Sequence, residues 1–112
     1  MVRTLALATM GSIISIAAVA ASFDGTWSAS LASRDPRCPP MTTDVIVSGG
    51  TIYRHGQPGG SVSASGAVAL SGLNEYGQGS GRGRIAGNRG SGSWRASGRG
   101  GSCSGSWSAT RR

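Results

Sequence analysis

The chain contains no lysine, so all 11 of its basic residues are arginines, and only four acidic residues oppose them. The last acidic residue is Glu75, and seven arginines follow it: Arg82, Arg84, Arg89, Arg95, Arg99, Arg111 and Arg112. A GC-rich coding bias would explain the absence of lysine. The absence also has a physical consequence, because the planar guanidinium binds phosphates and carboxylates through two parallel hydrogen bonds. The positive charge is concentrated in the last third of the chain and favours an anionic partner.

Residues suited to catalysis or metal binding are scarce. His55 is the only histidine, and the chain has no Gly-x-Ser-x-Gly elbow, His-Glu-x-x-His motif, carboxylate pair or phosphate-binding loop. Asp24 or Asp44 is available to orient His55 beside one of the many serines, so spacing alone leaves a triad open. No motif marks such a triad. We therefore predict a surface histidine at a strand end, and a protein that is not an enzyme and uses no cofactor or metal.

Residues 1–22 have the composition of a secretory signal peptide. Arg3 supplies a positive charge, the residues from 4 to 21 are apolar or small, and Ala18-Val19-Ala20 matches a cleavage site. An uncleaved membrane anchor is the alternative, because the apolar run approaches the length that spans a bilayer. No later stretch is that long, so we predict a mature form that does not span a membrane. The expected organisation is a helical signal peptide over 1–22 and one exported domain over 23–112, in the periplasm or outside the cell.

The 20 glycines and abundant serines fit either a disordered chain or short strands joined by tight turns. Apolar and polar residues alternate strictly through 23–32, 92–97 and 102–110, and each of these segments contains a tryptophan. Turn signals recur about every 8–12 residues, and no segment has a helical period. The pattern predicts an all-β fold, a small antiparallel barrel or sandwich of about eight or nine short strands. Specific predictions are a proline-rich loop over 34–40, turns at 49–50, 56–60, 88–90 and 98–101, and a tail of Arg111-Arg112.

A mature chain of this size buries too little apolar surface to be stable without a staple. Its expected core is Trp27, Trp94 and Trp107, and inward glycines beside them would leave room for the indole rings. Cys38 and Cys103 are the only cysteines, and in an exported chain an even count predicts a disulfide. A redox or metal pair would need closely spaced cysteines or nearby histidines, and the chain has neither.

The arginines that follow Glu75 are the candidate binding residues. Arg82 and Arg84 share one face of a predicted strand, and Arg95 lies on the outer face of the next. With Arg89 and Arg99 at the turns, antiparallel pairing would gather them into one arginine strip. This strip predicts a non-enzymatic binding module for an anionic envelope or extracellular ligand, such as an anionic glycan, lipopolysaccharide or nucleic acid.

Other interpretations of the arginines remain open. They would also suit a surface that only keeps the protein soluble. A disordered arginine-glycine segment that binds RNA is a further possibility, but the strict alternation around the tryptophans argues against it. The alternative function is a periplasmic module that binds or inhibits an envelope protein.

Several short motifs together carry a resemblance that covers nearly the whole mature chain. They are Phe23-Asp24-Gly25-Thr26-Trp27-Ser28, the Cys38 loop, the Gly-Ser-Gly-Arg and Gly-Ser-Gly-Ser-Trp units, and Cys103-Ser104-Gly105-Ser106-Trp107-Ser108-Ala109. This set resembles a group of small exported Gly/Ser/Trp-rich proteins of rhizobial and related alphaproteobacteria. The resemblance implies export, but no activity and no site residues. The Gly-Thr-Trp opening is also similar to avidin-like and periplasmic metalloprotease-inhibitor barrels, which implies architecture and not function.

Overall fold

The computed structural model describes residues 23–74 and 77–112, and the predicted signal peptide over 1–22 lies outside them. The described residues form eight strands, β1 (Gly25–Ser33), β2 (Met41–Ser48), β3 (Thr51–Arg54), β4 (Gln57–Val62), β5 (Ala67–Asn74), β6 (Gly77–Ala86), β7 (Arg89–Gly98) and β8 (Gly101–Arg111). Within these ranges there is no helix long and apolar enough to cross a membrane.

The eight strands close into a single antiparallel barrel. Each strand pairs with the next one along the chain, and β8 pairs back onto β1, from Trp27 opposite Arg111 to Ser33 opposite Gly105. The all-β prediction is confirmed, and the architecture is the barrel rather than the sandwich. Closure gives the first and last strands each a partner on both sides, so neither presents an unpaired edge.

Side chains alternate between the interior and the surface along β6, β7 and β8, as the period-2 pattern predicts. Bulky side chains fill mainly one half of the interior. The buried cluster there consists of Trp27, Val47, Ile52, Val62, Val68, Ile85 and Trp107, and Trp94 packs against it while half-buried. We call this half the Trp27 end. At the opposite half, the Cys103 end, inward positions carry small residues such as Gly79 and Ala96.

Glycines on β6 and β7 provide the space that the Trp107 indole occupies. A Cβ atom added to Gly92 would lie 2.7 Å from Trp107 Nε1 and 2.6 Å from the Cα of Gly83. The indole Nε1 donates a hydrogen bond to the carbonyl oxygen of Arg82 at 3.1 Å, which holds the ring against these glycines. The ring fits a narrow barrel because the strands beside it lack side chains at these positions.

We expect Gly92→Ala to destabilise the barrel, because the new methyl group meets backbone and indole atoms that cannot move apart independently. Overpacking of this kind costs about 1–3 kcal/mol in the free energy of unfolding. Gly100→Ala is the matched control, since its added Cβ meets nothing within 4 Å, and it should change stability by no more than about 0.5 kcal/mol. Urea denaturation of both variants measures the difference. Equal midpoints for the two would contradict the proposed role of Gly92.

Two of the predicted turns lie elsewhere in the structure. The prediction of a turn over 56–60 was wrong, because the chain reverses at His55-Gly56 and Pro58 lies within β4. A shift in the β3–β4 register between Ile52 and Tyr53 accommodates this proline beside the turn. His55 and Gly56 have φ values of 52° and 78°, the left-handed pair typical of a two-residue hairpin.

The turn between β6 and β7 also differs from the prediction, since it is formed by residues 87–88 rather than 88–90. Gly87 adopts φ 62°, and Arg89, a predicted turn residue, begins β7 instead. The predicted turn at 49–50 is confirmed, with Gly49 and Gly50 both at positive φ, and the one predicted at 98–101 is present but limited to residues 99–100.

Arg111 is part of the barrel and not of a tail, which corrects another prediction. Strand β8 continues through Arg111, and its guanidinium carbon lies 5.1 Å from the centre of the Trp27 ring. The same guanidinium donates hydrogen bonds to Asn88 Oδ1 at 3.0 Å and to the carbonyl oxygen of Asp24 at 3.0 Å. A cation over an indole face is favourable, so Arg111 covers the core at the Trp27 end.

The predicted disulfide is present at the other end of the barrel. It joins Cys38, in the loop between β1 and β2, to Cys103 of β8 with a Cα–Cα distance of 6.1 Å. Within the loop, the pKa of the Asp35 carboxyl is held below its ordinary value, mainly by hydrogen bonds from the Arg37 side chain and to a smaller extent by one from the Arg37 backbone N–H. This ion pair is exposed and contributes little to stability, so the disulfide is the main anchor of the loop.

Candidate functional site

The β6–β7 hairpin places one arginine at each of four successive outward-facing positions. Opposed across the two strands are Ser80 with Arg95, Arg82 with Ser93, Arg84 with Ser91, and Ala86 with Arg89, and all of these residues are exposed. We call Arg95, Arg82, Arg84 and Arg89, in this order from the Cys103 end to the Trp27 end, the arginine ladder.

Strand geometry gives the ladder a regular spacing. Arg82 and Arg84 are two residues apart on β6, and a strand rises about 3.4 Å per residue, so successive steps are about 7 Å apart. Arg95 and Arg89 are diagonal neighbours of Arg82 and Arg84 across the strand pair, with Cα atoms about 7–8 Å apart. No two arginines lie directly opposite each other, which limits the repulsion between them.

The ladder has no acidic partner among the described residues. The ion pairs found in 23–74 and 77–112 are Arg37 with Asp35 and Arg112 with Asp44, and neither includes a ladder residue. Among the described residues, the hydrogen bond from a ladder side chain is a long one, 3.5 Å from Arg84 Nη1 to the carbonyl oxygen of Ser65. The guanidinium groups are therefore available to an external anion.

Hydroxyl groups border the ladder on one side. The outer face of β8 is entirely serine and threonine, and beyond it β1 adds further serines at outward positions. The exposed hydroxyl residues opposite β7 are Ser102, Ser104, Ser106, Ser108 and Thr110, and we call them the serine face. On the other side, β5 places Ala67 and Ala69 opposite Arg84 and Arg82, so small neutral residues flank the ladder there.

An open cleft of about 1460 Å³ adjoins the Cys103 end of the ladder. Arg82 and Arg95 line it together with Leu70, the half-buried Trp94 and Cys103. The Trp94 indole Nε1 donates to the carbonyl oxygens of Ser106 at 3.0 Å and Ala32 at 3.3 Å, which fixes the ring at the cleft. Arg95 and Arg82 thus border a concave surface, while Arg84 and Arg89 lie on the convex wall of the barrel.

The remaining predicted site residues lie apart from the ladder. Arg99 is in the β7–β8 turn, one outward position beyond Ser97, so the strip of five predicted arginines consists of a ladder of four and a separate turn residue. His55 is exposed in the β3–β4 turn, and the Asp44 carboxylate is held by Arg112 at 2.8 Å. In the described part of the chain, no three His, Cys, Asp or Glu side chains are grouped to hold a metal ion.

No protein-family model, curated protein or solved structure matches this chain. The candidate site therefore stands on its own geometry. Sequence reasoning found the arginines, but it did not identify the serine face as part of the site. The signal was present in the sequence, because residues 102, 104, 106, 108 and 110 alternate as Ser or Thr through the last strand.

Proposed function

We propose that this protein is a non-enzymatic binding module, exported to the periplasm or the medium, that holds an anionic envelope or extracellular ligand on its arginine ladder. One observation carries this proposal. Four successive outward-facing residue pairs of β6 and β7 each contain one exposed arginine, and none of these arginines forms an ion pair with a carboxylate among the described residues. The fully paired hairpin fixes the backbone positions of the four arginines, so binding has to order their side chains but not the strands that carry them.

Replacement of ladder arginines should abolish most of the binding to a polyanion such as heparin. Four contacts give an affinity that falls about 50-fold between 50 and 200 mM salt, and one contact gives only about 3-fold. We expect the triple variant Arg82→Ser, Arg84→Ser and Arg95→Ser to elute from a heparin column at much lower salt than the wild type. Its circular dichroism should be unchanged, because all three side chains are exposed on the outer face.

The matched control removes three charges from elsewhere on the same molecule. Arg34→Ser, Arg37→Ser and Arg112→Ser lower the net charge of +7 by the same amount, but these residues lie in the β1–β2 loop and after β8. This control should elute close to the wild type. If both triple variants elute alike, retention depends on net charge alone and the arginine ladder is not a binding site.

The alternative of an inhibitor that binds a protein surface has weaker support. An inhibitor would need an apolar contact surface. The large hydrophobic residues that are exposed among the described ones are both on β2: Ile46, on its outer face, is 53% exposed, and Met41 is 38% exposed. A few exposed apolar residues are common on protein surfaces and do not by themselves indicate an interface. The ladder is therefore the feature on which we base the function.

A further inference from the structure

We infer that the ligand is a linear acidic polysaccharide that lies lengthwise along β6 and β7, with its charged groups on successive steps of the arginine ladder. This inference rests on the proposed function and specifies its ligand. It follows from three properties of the same face: the arginines form a line, the line has a regular step, and a hydroxyl surface runs beside it.

The shape of the ladder favours an extended chain over a compact anion. Four arginines at about 7 Å per step span roughly 20 Å from Arg95 to Arg89. A compact headgroup or a small polyphosphate would reach two neighbouring guanidinium groups at once, but not both ends. A long chain with repeated charges can engage all four, and it gains affinity with each additional contact.

The surroundings of the ladder favour a carbohydrate over a nucleic acid. Proteins that hold single-stranded nucleic acid pair a basic groove with aromatic side chains on which bases stack. On the outer faces of β6, β7 and β8, the exposed residues are Ser, Thr, Arg, Ala, Gln and Gly, and none is aromatic. The Trp94 ring in the adjoining cleft is on the inward face, is half-buried and is held by the hydrogen bonds of its Nε1. The hydroxyls of the serine face both donate and accept hydrogen bonds, so they complement the many hydroxyl groups of a sugar chain.

Chain length is the first test, with the domain over residues 23–112 as the protein and heparin-derived oligosaccharides of increasing length as probes. Affinity should rise by at least about tenfold between a disaccharide and a chain that spans the ladder, and then level off. For the long chain, a plot of the logarithm of the binding constant against the logarithm of the salt concentration should approach a slope of about −3, as four contacts require. Oligothymidylate of matched length and inositol hexakisphosphate serve as the nucleic-acid and compact-anion probes, and both should bind at least about tenfold more weakly than the long glycan.

The second test moves a charge without removing it. Arg84 pairs with Ser91, Ser91 with Ser108, and Ser108 with Ser30. Ser30 therefore lies three strands away from Arg84, about 14 Å along the barrel wall. The double variant Arg84→Ser with Ser30→Arg leaves the net charge unchanged and interrupts the ladder. We expect it to lose long-chain affinity by about as much as Arg84→Ser alone, and to gain less affinity with chain length than the wild type, because a gap separates Arg89 from Arg82 and Arg95.

The outcomes separate this inference from the proposed function. If binding needs the ladder arginines but inositol hexakisphosphate competes as well as the long glycan, the ligand is compact and the inference fails alone. If oligothymidylate binds more tightly than the glycan, the ligand class is nucleic acid and the inference again fails alone. If the double variant binds like the wild type, ladder order is irrelevant and the inference is wrong. If none of the probes shows binding that depends on Arg82, Arg84 or Arg95, both the inference and the proposed function fail.

Discussion

Trp27→Ala should unfold much of the population at physiological temperature. The Trp27 side chain is 1% exposed and is the largest fully buried one in the described chain. Truncation of a buried Trp to Ala costs about 3–5 kcal/mol, and a small domain has only about 5–15 kcal/mol in total. The variant also removes the ring over which Arg111 lies at 5.1 Å. Urea denaturation followed by circular dichroism measures the expected loss as a lower midpoint.

Trp94→Ala provides the control for the Trp27 prediction. Trp94 is only half-buried and packs at the edge of the core, next to the open cleft. Its loss should cost clearly less, because fewer contacts disappear and the space left behind opens to solvent. Trp27→Phe should fall between the two, since it keeps a ring but loses the hydrogen bond from Nε1 to the carbonyl oxygen of Phe23 at 3.0 Å. A loss below about 1 kcal/mol for Trp27→Ala would show that the core does not depend on this ring.

The sequence was enough to predict an all-β barrel or sandwich, but not to choose between the two, because inward and outward residues alternate without interruption in the last three strands while strand closure leaves no such pattern. Alternation specifies which face each side chain occupies, so the arginines at 82, 84 and 95 could be placed on the surface before any strand pairing was known. It could not place Arg111. This residue has the inward parity of Trp107 and Ala109, but its charge suggested a solvated tail, and the carbonyls and ring that hold it come from distant parts of the chain.

The register between β6 and β7 decides the order of the ladder, and the turn propensities of the residues did not determine it. A turn over 88–90 would set Arg84 opposite Trp94, and directly opposed residues lie on the same face of a sheet. That pairing would place the Trp94 indole and the Arg84 guanidinium on the same face of the sheet, whereas alternation assigns Trp94 to the interior and Arg84 to the surface. The alternation excludes that register and is consistent with the observed turn at 87–88, in which Arg84 lies opposite Ser91. The turn residues were misjudged because Gly90 resembles a turn glycine, while its actual role is to leave room for Ile85 and Trp107.

The barrel separates its stability from its candidate binding surface. The core consists of inward side chains at the Trp27 end, whereas the ladder consists of outward side chains on β6 and β7. Substitutions on one face therefore leave the other in place, because adjacent residues on a strand point to opposite sides. This arrangement is what allows a loss of binding by the arginine variants to be distinguished from a loss of fold.

The Cys103 end needs a different source of stability, because its inward residues are too small to form a hydrophobic core. The disulfide closes a sequence separation of 65 residues, for which the chain-entropy estimate is about 4 kcal/mol. Replacement of both cysteines by serine should therefore remove most of the stability of a domain this small. We expect the double variant to be marginally folded at 37 °C, with a lower urea midpoint than the wild type.

Reduction of the wild type distinguishes the effect of the cross-link from the effect of the substitutions. If the bond stabilises by restricting the unfolded chain, a reducing agent should lower the midpoint of the wild type to that of the Cys38→Ser, Cys103→Ser variant. The same reagent should leave the variant unchanged. A reduced wild type as stable as the oxidised protein would mean that the Cys103 end holds its structure through strand pairing alone. In that case the open cleft beside Arg82 and Arg95 would persist without the β1–β2 loop being tied to β8.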